Sequence, residues 1–367
     1  MNNPVTEESY IRAAKEMIYL AACALKREIP DKNIVKQMNF DALYTVAERH
    51  QLTAITAMAL ESVGIKLEKF TQAKGKAIRK NAALDLDRAA LSERLEAEHI
   101  WYMPLKGAVI AAYYPEFGMR QMSDNDILID ADRAREVKQI MCSLGFTVKL
   151  FGRGRDDEYA KEPVSFFEIH RSLFSMENVE LYEYYRDIAS RLMYKEGRCE
   201  RYFSNEDFYL YLTAHEYMHF SRSGTGIRSL LDIYVFWQNF GEQLDMKYLN
   251  DELKKMGIAD FEKRNRSLAL RLFAGEALTE QEEELLHYFI FSGVYGTIQN
   301  LIKKQGRWNF FFSYVFKPYR VMATKYPILQ KKPFLLPVCW FLWLVKKLVS
   351  NPGLIIRKLS SLLRYKN

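Results

Sequence analysis

The stretch RQMSDNDILI, residues 120–129, decides the predicted fold of this chain. It sets Asp124 and Asp126 one residue apart and continues into the apolar run ILI. In a strand, alternate side chains share a face, so both carboxylates would point one way and Ile127 and Ile129 the other. Like charges at a strand entrance repel, so the stretch is either an acidic turn or one side of a cation site. The spacing alone favours the turn with a solvated edge residue, because D-x-D is a common pattern.

The residues around this stretch predict a small α/β unit. Strand-like runs occur at 100–107, 146–151 and 164–170, and a helical pattern over 133–145 ends at Gly145, a suitable C-cap. The sequence before and after this region has apolar residues at helical spacing. We therefore predict an α+β protein, in which a small α/β core is flanked by N- and C-terminal helical segments.

A third carboxylate, Glu168, is predicted to join the aspartates. On its strand, Glu168 shares a face with His170, and Phe167 and Ile169 lie opposite. If this strand neighbours the one that begins near Asp126, three carboxylates converge at one end of the sheet. Close carboxylates raise the pKa of one another, and a divalent cation removes that conflict. Mg²⁺, or Mn²⁺ in its place, held by carboxylates, waters and a substrate phosphate is the usual solution.

An anion-binding loop is predicted upstream of the aspartates. Lys106 and Gly107 end the first apolar run, and a helix is expected from Ala108. A glycine at such a junction lets backbone N–H groups approach an anion at a helix N-terminus. Lys106 and Arg120 would add positive charge facing phosphates, and Ser123 completes the predicted nucleotide-binding set. The phosphate-binding loop at Gly107 and the Asp124–Asp126 pair would then form one active site.

Three segments together resemble the uncharacterised nucleotidyltransferase family of bacteria, within the broad polymerase-β-like nucleotidyltransferase superfamily. They are LKGAVIAAYYPEFGMRQMSDNDILI at 105–129, GF at 145–146 and FFEIHRSL at 166–173. Helical segments on both sides extend the resemblance over about residues 40–240. The core is therefore expected to be of the nucleotidyltransferase type.

The resemblance implies roles for individual residues. Asp124 and Asp126 would bind the metal, Glu168 would be the third carboxylate, and Gly107 would mark the nucleotide-phosphate loop. The wider superfamily usually has a Gly-Ser pair where this chain has Gly107 followed by alanine. The serine hydroxyl that would contact a phosphate is therefore absent, and we expect Lys106 to take part of its role.

The predicted reaction is transfer of a nucleoside monophosphate from an NTP to an acceptor. Glu168 would complete the metal site or act as a base toward the acceptor, and His170 would orient Glu168 or contact the substrate. The acceptor, whether a small molecule, a sugar, a protein or RNA, would be selected by a charged loop at 152–162 and by the helices after residue 200. The alternative is a non-catalytic nucleotide-binding protein at the membrane surface, which the missing serine favours.

The sequence HEYMH at 215–219 matches the H-E-x-x-H signature of zinc metalloproteases. His215 and His219 would be ligands, Glu216 the general base, and Glu242 a conceivable third ligand. Both histidines, however, fall on a mostly apolar helical stripe, which is typical of a packing face. We therefore expect them to support the nucleotide cleft, and a zinc hydrolase remains the weaker alternative.

Arg228 and Asp232 lie four residues apart on the next predicted helix. This spacing favours an ion pair along one helix face, worth a few tenths of a kcal/mol. The alternative is that this helix borders the active-site cleft and the pair supports the substrate.

The net charge of +7 is unevenly distributed. Glu284 is the last acidic residue, and residues 285–367 carry 14 lysines and arginines. Within them, the apolar run at 334–349 is interrupted by Pro337 and is shorter than the roughly twenty residues that a spanning helix needs. Segment 331–367 is therefore predicted to lie on an anionic membrane surface. Packing on the protein body and binding to nucleic acid are the alternatives.

Four parts are predicted along the chain. They are an N-terminal helical region (1–97), the nucleotidyltransferase core (98–175), a helical domain (176–284) and the basic aromatic segment (285–367). The four cysteines are scattered, and the N-terminus lacks the layout of a signal peptide. We therefore expect a cytoplasmic protein, with the inner face of the membrane as a peripheral location. The oligomeric state is not predicted.

Overall fold

The computed structural model of the protein describes residues 6–222, 224–293 and 316–350. Within these residues the chain divides into two compact units. The first comprises Met1–Tyr217 and Gly226–Val294, and the second comprises Met218–Thr225 and Tyr295–Asn367. The predicted membrane-binding segment is thus described only as far as residue 350, and its remainder lies outside the described residues.

A group of helices precedes the sheet of the first unit. They are α1 (Glu7–Lys26), α2 (Lys32–Lys36), α3 (Phe40–Arg49), α4 (Thr53–Ser62) and α5 (Glu68–Ala97). The side chain of Asn39 accepts the Asp41 amide at 3.1 Å, which satisfies a donor that the start of α3 would leave unpaired. The long α5 buries Leu84, Leu91 and Leu95, whose spacings of seven and four place them on one face.

A mixed five-stranded sheet forms the centre of the first unit. Its elements are β1 (Tyr102–Pro104), α6 (Gly107–Ile110), β2 (Asn125–Ile129), α7 (Ala134–Ser143), β3 (Thr147–Leu150), β4 (Asp156–Lys161) and β5 (Ser165–His170). The strand order is β1-β2-β5-β4-β3. The pair β2 and β5 is parallel, and the other neighbours are antiparallel. The predicted α+β class with helical flanks is confirmed.

Strand β4 corrects one expectation from the sequence. Residues 152–162 were expected to form a charged loop, but Asp156–Lys161 form a strand that lies between β3 and β5 and pairs with both. The strand buries Asp157 and Tyr159 and leaves its other residues partly exposed. A charged residue at a buried position hides the alternation that is typical of a strand. Asp157 can be buried because it accepts the Gly152 amide at 2.7 Å and lies 3.3 Å from Arg171. A buried carboxylate with such partners is compatible with a central strand.

Opposite faces of β2 have opposite character. Ile127 and Ile129 belong to the apolar core that packs against α5 and α7. Asn125 lies on the same side, where its amide donates to the Leu84 carbonyl at 2.8 Å and accepts from Arg88 at 2.9 Å. Since side chains alternate along a strand, Asp126 points to the other face. The α5 helix thus fixes which side of β2 carries the acid.

Helices and one small hairpin follow the sheet. They are α8 (Val179–Tyr185), β6 (Met193–Tyr194), β7 (Arg201–Tyr202), α9 (Asn205–Arg222), α10 (Ile227–Phe240), α11 (Met246–Lys255), α12 (Ala259–Ala274) and α13 (Glu280–Ser292). In the second unit, the described elements near the C-terminus are α14 (Tyr319–Lys325), α15 (Ile328–Lys331) and α16 (Leu336–Ser350). None of the helices in the described part of the chain combines the length and apolar character that crossing a bilayer requires.

Candidate active site

Asp126, Glu168 and His170 meet on one face of the sheet. Asp126 on β2 and Glu168 on β5 are direct partners in the parallel register, so their side chains emerge side by side. His170 Nε2 lies 2.8 Å from Asp126 Oδ1 and 3.6 Å from Glu168 Oε2. One ligand atom from each residue lies within 4.8 Å of the others. Among the described residues, this is the one group of three His, Cys, Asp or Glu side chains that could share a metal ion.

Lys106 supplies a positive charge to this group. Its Nζ lies 2.7 Å from Asp126 Oδ1, the oxygen that His170 also contacts. Burial alone would lower the pKa of Lys106, but the Asp126 carboxylate outweighs it and raises the pKa, so the lysine stays charged. The Lys106 backbone has φ 44° and ψ −114°, a region that costs a non-glycine residue about 1–3 kcal/mol. The fold therefore holds this cation against Asp126 at the expense of local strain.

The carboxyl groups differ in their affinity for protons. Although burial favours the neutral acid, Lys106 and then His170 hold the pKa of Asp126 well below its ordinary value. Burial, followed by the negative charge of Asp126, raises the pKa of Asp124 and raises that of Glu168 to about 8. The surroundings therefore favour the charged form of Asp126 and disfavour the charged forms of Asp124 and Glu168. An added cation would relieve both, because it favours their charged forms.

Gly107 begins α6 at a point where the chain is tightly packed. A Cβ atom at this position would lie 2.7 Å from both Sδ and Cε of Met122 and would also overlap the Arg120 guanidinium. A side chain here would require the ends of Met122 and Arg120 to shift, which favours glycine at this position. Nearby, the Ser123 hydroxyl donates to Gln51 Oε1 at 3.3 Å, so this serine binds the segment after α3.

Arg120 is buried in a network with α10. Its Nε and Nη2 donate to the two carboxylate oxygens of Asp232 at 2.8 Å each, and the Tyr114 hydroxyl donates to Asp232 Oδ1 at 2.8 Å. A bidentate pair of this kind is strong and geometrically specific. Arg228, which the sequence paired with Asp232, donates to the Gln121 carbonyl at 3.2 Å and also contacts Gln51. The network thus joins the segment before β2 to α10.

The HEYMH residues differ in burial. His215 is partly buried, Glu216 is buried and His219 is exposed. Burial raises the pKa of Glu216 to about 8, and this carboxyl group forms a hydrogen bond with Ser229 on α10. The metal-compatible group on the sheet includes none of these three residues. The described residues therefore offer nothing that favours a zinc site here.

Tyr211 on α9 is a site residue that the sequence reasoning missed. It lies on the same apolar stripe of α9 as the two histidines, which the sequence predicts to be a packing face, and it is fully buried. Burial, opposed by Lys106 and reinforced by Asp126, raises the pKa of its hydroxyl to about 12. That hydroxyl has no hydrogen-bond partner among the described residues. A buried hydroxyl beside the carboxylates can donate a hydrogen bond to a bound ligand. The sequence does not reveal this residue, because its role depends on how α9 packs against the sheet.

A cleft of about 390 Å³ lies beside the segment that leads to Asp124. It is lined by residues of α3, α4, α5 and the segment 121–123, including Ser123 and three lysines of α5: Lys69, Lys76 and Lys80. Lys69 pairs with Asp41 at 3.0 Å. Lys76 and Lys80 make no ion pair with any described residue. Glu48 also lines the cleft, and Lys80 interacts electrostatically with Asp124, so the lining carries three lysines against one glutamate and is positive on balance.

The protein has a mixed sheet with an acidic group on one face, and helices precede and follow this sheet in the sequence. It is an α+β protein of the nucleotidyltransferase type. The chain belongs to the uncharacterised nucleotidyltransferase family, whose model matches residues 36–274. The predicted membership is thereby confirmed. Comparison with curated proteins gives no match.

One solved structure is similar to part of this chain. It is the crystal structure of an antigenic nucleotidyltransferase-like protein from Paracoccidioides brasiliensis, at 14% sequence identity. The similarity covers 54% of this chain and 96% of that chain, with a TM-score of 0.31. The assignment of the chain therefore rests on the family match.

Proposed function

We propose that the protein is a metal-dependent nucleotidyltransferase that moves a nucleoside monophosphate from an NTP to an acceptor still to be identified. The observation that carries this proposal is the register of β2 and β5, which brings Asp126 and Glu168 together beside His170. Two adjoining carboxylates from different strands each raise the cost of ionising the other, and a divalent cation between them would remove that cost. Membership of the family supplies the reaction class.

The chemistry of the donor set fits a divalent cation. Carboxylate oxygens are the ligands that Mg²⁺ and Mn²⁺ prefer, so Asp126 and Glu168 of the group with His170 would hold the ion. Asp124 lies outside that group and would complete the carboxylate set. Burial lowers the pKa of His170, so its neutral ring donates from Nε2 to Asp126. Its buried Nδ1 then has no hydrogen-bond partner among the described residues. When bound, the cation would neutralise phosphate oxygens and polarise the attacking hydroxyl.

The remaining roles follow from the charges of the chain. Lys106 orients Asp126 and keeps it ionised through their 2.7 Å contact. Glu168 would complete the metal site or, as the alternative, take a proton from the acceptor hydroxyl, and a bound cation would favour the charged form that either role needs. Ser123, Lys76 and Lys80 line the cleft beside Asp124 and would receive the phosphates of the donor.

Pyrophosphate release from each NTP, measured with a panel of cell extracts as acceptors, tests this function. Asp126→Asn and Glu168→Gln keep the shapes of the side chains and remove their charge, so each should lower the rate by at least about a hundredfold. Asp132→Asn changes an exposed acid of the same core and should leave the rate unchanged. Equal release by the wild type and both site variants would contradict the proposal.

A second candidate is a nucleotide-binding protein without turnover. The Lys106 ammonium group already occupies a coordinating oxygen of Asp126, and alanine stands where the superfamily has serine. Both observations favour a site that binds without reacting. Mg²⁺-dependent NTP binding by calorimetry, with no pyrophosphate release from any extract, would select this candidate over the first.

A further inference from the structure

Helix α16 in the second unit is apolar on two faces. One face contributes Cys339 and Trp343 to a small core with Met322, Ala323 and Leu329. The other face is exposed to solvent. With the turn before the helix, it presents five large apolar residues: Phe334, Val338, Phe341, Leu342 and Val345. We call these five residues the exposed apolar face.

The exposure of this face is large for such side chains. Phe334 is 75% exposed and Phe341 is 66% exposed. Their partners follow at spacings of three and four residues, so they form one continuous stripe along the helix. Single exposed apolar residues are ordinary on protein surfaces, but a contiguous stripe marks a binding surface. Something of apolar character is therefore expected to cover it.

The charges around the stripe indicate what covers it. Residues 316–350 contain no aspartate or glutamate, and the exposed Lys331, Lys332 and Lys346 flank the stripe at both ends. A second copy of this chain would bring the same positive charges to the same surface and would be repelled. An anionic bilayer offers apolar depth with negative headgroups around it, which matches both features. The 15-residue α16 is too short to span a bilayer of roughly 30 Å, so it would lie along the surface.

We propose that the exposed apolar face binds the surface of an anionic phospholipid membrane. The phenyl rings of Phe334 and Phe341 would enter the boundary between headgroups and acyl chains, and the flanking lysines would contact lipid phosphates. This inference is independent of the proposed catalytic function, because every residue that carries it lies in the second unit.

Co-sedimentation of the full-length protein with large vesicles tests the proposal. We expect binding to vesicles of phosphatidylcholine with phosphatidylglycerol and at least tenfold weaker binding to pure phosphatidylcholine. Phe334→Ser combined with Phe341→Ser should reduce binding to the mixed vesicles more than tenfold, and Lys331→Gln with Lys332→Gln should reduce it less and abolish much of its salt dependence.

The matched control is Leu86→Ser, because Leu86 on α5 is 73% exposed but belongs to the first unit. It should bind vesicles as the wild type does. Circular dichroism of each variant checks that the helices persist. Equal binding to neutral and anionic vesicles, or undiminished binding by the double phenylalanine variant, would overturn the proposal. A wild-type dimer that the same variant dissociates, without vesicle binding, would assign the face to self-association and overturn it too.

Discussion

The sheet of the first unit and helix α16 of the second depart from the usual distribution of residues in opposite directions. Around the sheet, polar and charged groups are buried: Asp126, His170 and Arg120 are each less than 10% exposed. On α16, phenylalanines are exposed instead. Since buried polar groups and exposed apolar patches are the informative exceptions in a folded protein, each region points to a different kind of partner. The buried charges suit a small charged ligand, and the exposed rings suit a broad apolar surface.

The buried charges of the first unit are stable because they are paired. The Arg120–Asp232 pair should give the largest change in the free energy of unfolding when it is broken. Asp232→Ala leaves the Arg120 guanidinium buried without its two acceptors, which should lower the free energy of unfolding by about 3–5 kcal/mol. Arg120→Met combined with Asp232→Leu removes both charges and should recover most of that loss. Urea unfolding measures both variants.

The control for this prediction is an exposed pair of the same chemistry. Arg186 lies 2.8 Å from Glu183, and both side chains are more than half exposed. Glu183→Ala should therefore change the free energy of unfolding by less than about 0.5 kcal/mol. Equal effects of Glu183→Ala and Asp232→Ala would show that burial gives the Asp232 pair no special importance.

The sequence predicted the fold better than it predicted such pairs. Alternating strand and helix patterns with Gly145 at a helix end are local signals, and they led to the α+β class. Arg120 and Asp232 are 112 residues apart, so only the packed structure reveals their contact. The sequence instead matched Arg120 with phosphates and Asp232 with Arg228, because those interpretations needed no knowledge of the packing. Contacts between distant elements are the information that periodicity lacks.

The same limit explains the other differences. Strand β4 was missed because its charged residues imitate a loop, although neighbouring strands satisfy its backbone. Tyr211 was interpreted as packing because an apolar stripe does not show which neighbour its hydroxyl meets. Lys76 and Lys80 resemble ordinary surface lysines of a helix until the cleft beside Ser123 is seen. The side-by-side position of Asp126 and Glu168 required the assumption that their strands are neighbours, which the sequence could not supply.

His50 allows the buried polar groups of the first unit to be tested by a change of pH rather than by a substitution. Its ring is buried, Nδ1 accepts the Ile227 amide at 3.2 Å, and Nε2 therefore donates to the Ile290 carbonyl at 3.1 Å. Both nitrogens are used by the neutral form, and burial lowers the pKa of His50 to about 4. Because the folded pKa lies below the unfolded value of about 6.5, the contribution to stability is complete above pH 6.5 and is lost as the pH falls toward 4.

Urea unfolding should therefore show that stability falls by about 2 kcal/mol between pH 7 and pH 5 because of this residue. His50→Gln can accept and donate with its amide without titrating, and it should remove that share of the pH dependence. The exposed His287 serves as the control, since His287→Gln removes a histidine without a buried environment. An identical pH dependence in the wild type and His50→Gln would rule out this residue as the cause.

The smallest expected effect concerns the cleft beside Asp124, where positive charge is exposed rather than buried. Lys76→Gln with Lys80→Gln should weaken Mg²⁺-dependent NTP binding about tenfold, or about 1.4 kcal/mol, because two cations that face the donor phosphates are lost. Lys32→Gln with Lys36→Gln removes two exposed lysines of α2 at the same spacing of four and controls for net charge. Isothermal calorimetry compares the two double variants. Equal NTP affinities of the two double variants would show that the donor phosphates bind elsewhere. A lower affinity of the Lys76 and Lys80 variant alone, with a smaller difference at high salt, would show that the nucleotide site reaches from the sheet to α5.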